Sequence, residues 1–202
     1  MVPVEAPPIE LLLETLLFVA DGPVEIARLQ RALEADRPTV EAGLERLAAS
    51  FRARGIRLQR KDDSVTLASA PEAARYVERF LGLGETGRLS GPALETLAIV
   101  AYRQPATRTQ IEAVRGVGAE YAIRSLLARS LIQEVGRAET VGRPILYGTT
   151  FEFLQYFGLE SLDQLPTLPD GRFASLDAPR ALVEARERLS RPGPSSPPGP
   201  AP

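Results

Sequence analysis

The 202-residue chain is 44% hydrophobic and 25% charged, the make-up of a soluble globular protein with room for one large or two small domains. Its 24 basic and 26 acidic side chains leave a net charge of −2, without the positive surplus expected of a protein that wraps nucleic acid. With no His, Cys, Trp or Asn, and Lys61 as the single lysine, the usual zinc sites, haem ligation, cysteine nucleophiles, Ser-His-Asp triads and disulfides are excluded, and no cofactor is expected.

Pro7-Pro8 precede the first predicted helix and Asp21-Gly22-Pro23 end it. Ile9, Leu12, Leu13, Leu16, Leu17 and Ala20 form its stripe at helical spacing. Glu10, Glu14 and Thr15 interrupt this stretch, which has no basic region ahead of it, so neither a secretory signal nor a membrane span of roughly 18–20 apolar residues is read here. The expected setting is the cytoplasm. Ile26, Leu29 and Leu33 suggest a second helix, and a third opens near Asp36, tolerates Pro38 in its first turn, and carries Val40, Leu44, Leu47 and Phe51. The period then changes to two. Ile56 and Leu58, then Val65 and Leu67, alternate on either side of Lys61-Asp62-Asp63-Ser64, which predicts a hairpin. Residues 71–81 close the unit with a short helix holding Val77, Phe80 and Leu81.

The same order then recurs. Ser90 caps a helix through Tyr102, with Leu94, Leu97, Ala98 and Ala101 inward. Thr107-Arg108-Thr109-Gln110 has capping-box spacing and opens a helix with Ile111 and Val114. After a turn at residues 116–118, Ala119, Ala122, Ile123, Leu126 and Leu127 line a third helix. Residues 132–135 and 145–147 read as strands, and Thr149-Thr150-Phe151-Glu152 as a second capping box opening a helix that stops at Gly158. Helix, helix-turn-helix, hairpin and helix, written twice, predict a mainly α fold with small β wings: two tandem winged-helix domains at 1–81 and 90–168, joined by a linker at 82–89. In the remaining stretch, 169–202, residues 177–190 suggest an isolated amphipathic helix using Leu182, Val183 and Leu189. The Pro-rich end should be disordered.

Several motifs have plain readings. Gly82-Leu83-Gly84-Glu85-Thr86-Gly87 spells a dinucleotide fingerprint, but a helix precedes it and no strand feeds it, so it reads as linker. Asp62-Asp63 are turn residues rather than a metal-binding pair. An enzyme would need an all-carboxylate metal site, and no Asp/Glu spacing supports one. Arg52, Arg54, Arg57, Arg60 and Lys61 cluster at the first wing, where they would grip phosphate or simply form a solvated edge. The candidate recognition helices carry Glu41, Glu45 and Arg46, then Glu120, Arg124 and Arg129. Carboxylates there repel phosphate, so base readout is not expected and any contact with DNA should be weak or indirect; a winged-helix DNA-binding transcriptional regulator that grips phosphate through the arginine-rich wing is the alternative reading.

At about 100° per residue, Leu11 and Phe18 point away from the core stripe of the first helix, with Val19 at its border. Single exposed apolar side chains are common, but two large ones seven residues apart on one face favour a partner, which makes these three residues the candidate dimer contact. A second cluster joins Tyr102-Arg103-Gln104-Pro105, Arg115-Gly116-Val117 and Gly142-Arg143-Pro144-Ile145-Leu146-Tyr147. Arg and Tyr suit protein interfaces, while the same residues serve equally as helix end, turn and core. Spacing alone does not choose between packing and partner binding.

Ala98-Ile99-Val100-Ala101-Tyr102-Arg103-Gln104-Pro105-Ala106-Thr107-Arg108, followed by Ile111 and an Arg115-Gly116-Val117 ending, resembles the signature of the segregation and condensation protein B family. Residues 142–150, Phe153-Leu154-Gln155-Tyr156-Phe157-Gly158-Leu159, Ser161-Leu162 and Leu165-Pro166 continue it, and Glu14-Thr15-Leu16-Leu17-Phe18 with Pro23-Val24 fits the family's start. Ala106 departs from the larger aliphatic residue often found there. The resemblance implies tandem winged-helix subunits without catalysis that dimerise through the N-terminal domain. It further implies binding of the kleisin subunit, segregation and condensation protein A, chiefly through the C-terminal domain. Through kleisin they regulate the structural-maintenance-of-chromosomes ATPase at the nucleoid. On this resemblance Tyr102, Arg103, Arg115, Arg143 and Tyr147 are the expected kleisin-binding residues.

Overall fold

A computed structural model describes residues 7–81, 89–167, 179 and 181–184. Its first helix, α1 (Ile9–Val19), buries Leu13 and Leu17 against α3 (Arg37–Phe51), with α2 (Ile26–Leu33) beside them. Asp36 caps α3 by accepting the Thr39 amide at 2.9 Å, with Pro38 inside the first turn. Both features satisfy or remove amides that a helix start leaves unpaired. β2 (Ile56–Lys61) and β3 (Ser64–Ser69) form the hairpin, and Asp62 turns it at φ 53°, a left-handed conformation that Asp tolerates. A 3-10 turn (Pro71–Ala73) then leads into α4 (Ala74–Phe80).

The second unit repeats this order with α5 (Gly91–Arg103), α6 (Arg108–Arg115), α7 (Glu120–Ala128), a hairpin and α8 (Phe151–Phe157). The hairpin strands are β5 (Ile132–Arg137) and β6 (Ile145–Thr149). Thr107 and Gln110 make the reciprocal capping box, and Gly116 ends α6 at φ 72°. Each unit also has a strand that hydrophobic alternation cannot signal, because it is only two residues long: β1 (Val24–Glu25) and β4 (Ala106–Thr107). They complete sheets of order β1-β3-β2 and β4-β6-β5. The fold is mixed, mainly helical with two small antiparallel sheets, and each unit has its own apolar core.

The two units touch along one strand. β2 is an edge strand, and residues 159–160, just after α8, run beside it. The Arg60 amide donates to the Glu160 carbonyl at 2.7 Å, and Gln59 Nε2 donates to the Leu159 carbonyl at 2.7 Å. Arg57 lies 3.6 Å from the Glu160 carboxylate. Covering an edge strand in this way removes a row of unpaired backbone groups.

Four expectations need correction. Phe80 and Leu81 are exposed, because α4 is too short to bring its last turn onto a core. Thr150, not Thr149, caps α8 by accepting the Phe153 amide; the Thr149 hydroxyl is drawn instead to Gln104 Oε1. Leu12 is not core but lines a surface groove. Leu182 is no part of an isolated helix, since it is buried in the second core. The glycine-rich stretch at 82–87, Leu189 and the Pro-rich end lie outside the described residues.

α1 and α3 approach closely at Gly43, where an added Cβ would fall 2.7 Å from Leu13 Cδ1 and 3.2 Å from Ile9 Cγ2. Gly43→Leu should therefore destabilise the first unit by about 3 kcal/mol, since overpacking outweighs the helix propensity gained. Thermal unfolding followed by circular dichroism checks this. An unchanged midpoint would mean that α1 separates from α3 without cost.

Candidate protein-binding surfaces

α1 has a covered face and an open one. Leu13 and Leu17 point into the core, whereas Leu11 is 53%, Phe18 80% and Val19 66% exposed. Thr15, on the open side, returns its hydroxyl to the Leu11 carbonyl at 2.8 Å. The open face continues into a groove of about 310 Å³ between α1 and α2, lined by Leu12, Thr15, Leu16, Ala32, Leu33 and Glu34. Phe18 also borders a cleft of about 420 Å³ between the units, shared with Pro23, Leu67 and Phe151. Glu10 pairs with Arg46, and Glu14 lies 3.6 Å from Arg54, so ion pairs to α3 and the turn after it flank the helix. The three candidate dimer residues thus stand together on one solvent-facing apolar surface.

The five candidate kleisin residues divide. Tyr102 is half-buried, its hydroxyl donates to the Pro166 carbonyl at 2.6 Å, and burial pushes its phenol above the ordinary value. Tyr147 is buried on β6 opposite Glu134; burial first, and that carboxylate second, raise its phenol. Arg115 has a side chain only 5% exposed. Its Nε lies 3.1 Å from Glu95 on α5 and its Nη1 donates to the Gly118 carbonyl at 2.7 Å, tying α6 and the following turn to α5. These three hold the second unit together. Arg103, in the last turn of α5, and Arg143, in the β5–β6 loop at φ 40°, are exposed. Gln104 underlies this region: its Oε1 accepts from the Thr149 amide and hydroxyl at 2.8 and 2.9 Å, and its Nε2 donates to Ala101.

Sequence reading singled out Val117, which stands exposed in the turn before α7, but passed over Tyr121 in the first turn of α7, which is 85% exposed. The signal was available, since Tyr121 falls off the face defined by Ala122, Ile123 and Leu126. On the first hairpin the basic residues have acidic partners. Arg60 makes a bidentate pair with Glu41, which holds that carboxyl below its ordinary value. Arg57 donates to Glu72 at 3.0 Å and to the carbonyls of Phe51 and Arg54. Lys61 is buried beside Asp62 at 2.6 Å. Charge already paired within the protein offers little net attraction to phosphate. Among the described residues no cluster of three or more carboxylates is placed to hold a metal, and no helix is long and apolar enough to cross a membrane.

Two like units of helices and a three-stranded sheet, turning apolar side chains outward from α1 and α7, define a scaffold with surfaces of the kind that bind other proteins. Residues 11–168 match the family of the segregation and condensation complex subunit ScpB, and the chain belongs to that family. It is 45% identical over 168 residues to segregation and condensation protein B of Geobacillus thermodenitrificans, covering 82% of this chain and 80% of that one. The protein of the same name from Halalkalibacterium halodurans is 47% identical over 161 residues, covering 78% and 82%. The crystal structure of ScpB from Mycobacterium tuberculosis is 40% identical, covers 75% of this chain and 95% of that one, and has a TM-score of 0.37. Family membership makes this chain a subunit of the machinery of chromosome segregation and condensation.

Proposed function

We propose that the chain is a non-catalytic cytoplasmic subunit that dimerises through the open face of α1 and binds the kleisin subunit through its second unit, so regulating the chromosome-organising ATPase at the nucleoid. Each unit then serves as a winged helix turned to protein binding, a use that the fold permits but does not dictate. The observation that carries this reading is the pair of large apolar side chains, Leu11 and Phe18, held in water on a helix whose other face already fills a core. The acid-paired first hairpin supports protein over nucleic acid as the partner. Co-purification with the kleisin subunit, with mass from light scattering, is the test. A complex holding two copies of this chain is expected; two proteins that elute apart would end the proposal.

On the second unit, Arg103 and Arg143 are the candidates whose side chains are exposed. Arg103→Glu with Arg143→Glu should weaken kleisin binding at least about tenfold, the scale of one or two lost charge-assisted hydrogen bonds. As surface changes they should leave thermal stability within about 0.5 kcal/mol. Isothermal titration reads the affinity, and an unchanged value would move the contact elsewhere on the unit.

A further inference from the structure

Phe18 stands 80% exposed near the end of α1. On the open side of the same helix lies the groove of about 310 Å³ shared with α2, floored by half-buried Leu12, Leu16 and Leu33. A knob and a hollow thus share one surface, about 6 Å apart along the helix axis, the rise from the middle of Leu12–Leu16 to Phe18. Phe18 does not fill the hollow of its own chain. Such a surface can close on a copy of itself. A two-fold axis midway between knob and hollow, perpendicular to the line joining them, brings each Phe18 over the other copy's hollow. Thr15, which lies between them, already donates its hydroxyl to the Leu11 carbonyl at 2.8 Å, so covering it strands no donor.

The charges around the patch suit the same closure. The knob end is acidic, with Asp21 and Glu25 exposed just after α1; the α2 side of the hollow is net basic, with Arg28 and Arg31 exposed beside Glu34. None of these five is in an ion pair among the described residues. On the α3 side, by contrast, Arg37, Arg46, Arg54 and Arg60 all have carboxylate partners. Opposite charges left unpaired around an apolar patch are what an interface rim uses to fix register. The rotation that seats the knob also carries the acidic end of one copy toward α2 of the other. We infer that each Phe18 seats in the hollow of Leu12, Leu16 and Leu33 on a second copy of this chain, with the acidic turn of one copy facing Arg28 and Arg31 of the other. The inference rests on the reading that α1 is the dimer face, and adds what that face grips.

Two variants of the full chain and their mixture test this. Phe18→Ala removes the knob and keeps the hollow; Ala32→Trp, at an exposed groove position, fills the hollow and keeps the knob. Each alone should self-associate about a hundredfold more weakly than the unsubstituted chain, because a two-fold contact loses both of its seats. Mixed, they regain one intact seat, and the other sets a small side chain against a filled hollow. The mixture should therefore form a heterodimer about tenfold or more tighter than either homodimer, read by sedimentation velocity and by native mass spectrometry. Should Ala32→Trp lose its helical circular dichroism, Ala32→Glu takes its place. Variants that each dimerise like the unsubstituted chain would overturn the seat and leave the dimer to be mapped elsewhere. Variants that are both weakened, with a mixture no tighter, would keep α1 in the interface but overturn the pairing of Phe18 with the hollow. An unsubstituted chain that stays monomeric would remove the dimer reading itself, and the seat with it.

Discussion

The Leu11→Asp, Phe18→Asp chain should sediment as a monomer at concentrations where the unsubstituted chain sediments as a dimer. Both side chains stand in water on the face of α1 opposite Leu13 and Leu17. In a two-fold dimer the same patch meets itself, so each substitution removes apolar contact twice and sets carboxylates against one another. A desolvated side chain at the centre of an interface that acts as a hot spot carries about 2 kcal/mol or more, and Leu11 and Phe18 are the large apolar side chains of this patch. Losing both should weaken self-association by about a thousandfold or more. The fold should survive, because the core of the first unit is built from Leu13, Leu17, Val40, Leu44, Leu47 and Phe51 rather than from the substituted pair. Two measurements separate the outcomes: sedimentation velocity for mass, and circular dichroism for helix content. A well-folded dimer of the variant would remove α1 from the interface and leave the exposed residues of α4 or α7 as the next surfaces to substitute.

The reason this face could be read beforehand is that a helix advertises both its sides in one short stretch of sequence. The same holds for the caps at Asp36 and Thr107, whose partners lie three residues away. What stayed hidden depends on distance along the chain. β1 pairs with β3 through Val24 and Val65, and β4 with β6 through Ala106 and Tyr147, so neither two-residue strand has a pattern of its own. The groove beside Leu12 and Leu16 exists only because α2 brings Ala32 and Leu33 alongside. Periodicity put Leu12 on the core stripe, and the position of α2 decides otherwise. Thr149 and Thr150 differ by a single residue, and a glutamine 45 positions earlier in the chain settles which of them caps α8. The candidate kleisin residues show the same limit. Arg103, Arg115 and Arg143 are equivalent as letters, and only the location of Glu95 makes Arg115 internal.

That location gives Arg115 a different expected phenotype from its neighbours. Arg115→Ala should lower the stability of the second unit by about 2 kcal/mol, since hydrogen bonds to charged groups contribute roughly 1.5–3 kcal/mol and Glu95, still partly in water, recovers some of the loss. For a unit of this size the thermal midpoint should fall by about 10 °C. Arg115→Lys keeps the charge but not the planar fork that reaches both Glu95 and the Gly118 carbonyl, so it should fall between. A double-mutant cycle with Glu95→Gln isolates the pair, and a coupling of about 1 kcal/mol or more is expected because the groups touch. Kleisin affinity, measured well below the midpoint, should change little, in contrast to the Arg103 and Arg143 substitutions. If Arg115→Ala instead melts like the unsubstituted chain and abolishes kleisin binding, this guanidinium turns outward when the partner arrives, and the contact with Glu95 belongs only to the partner-free state.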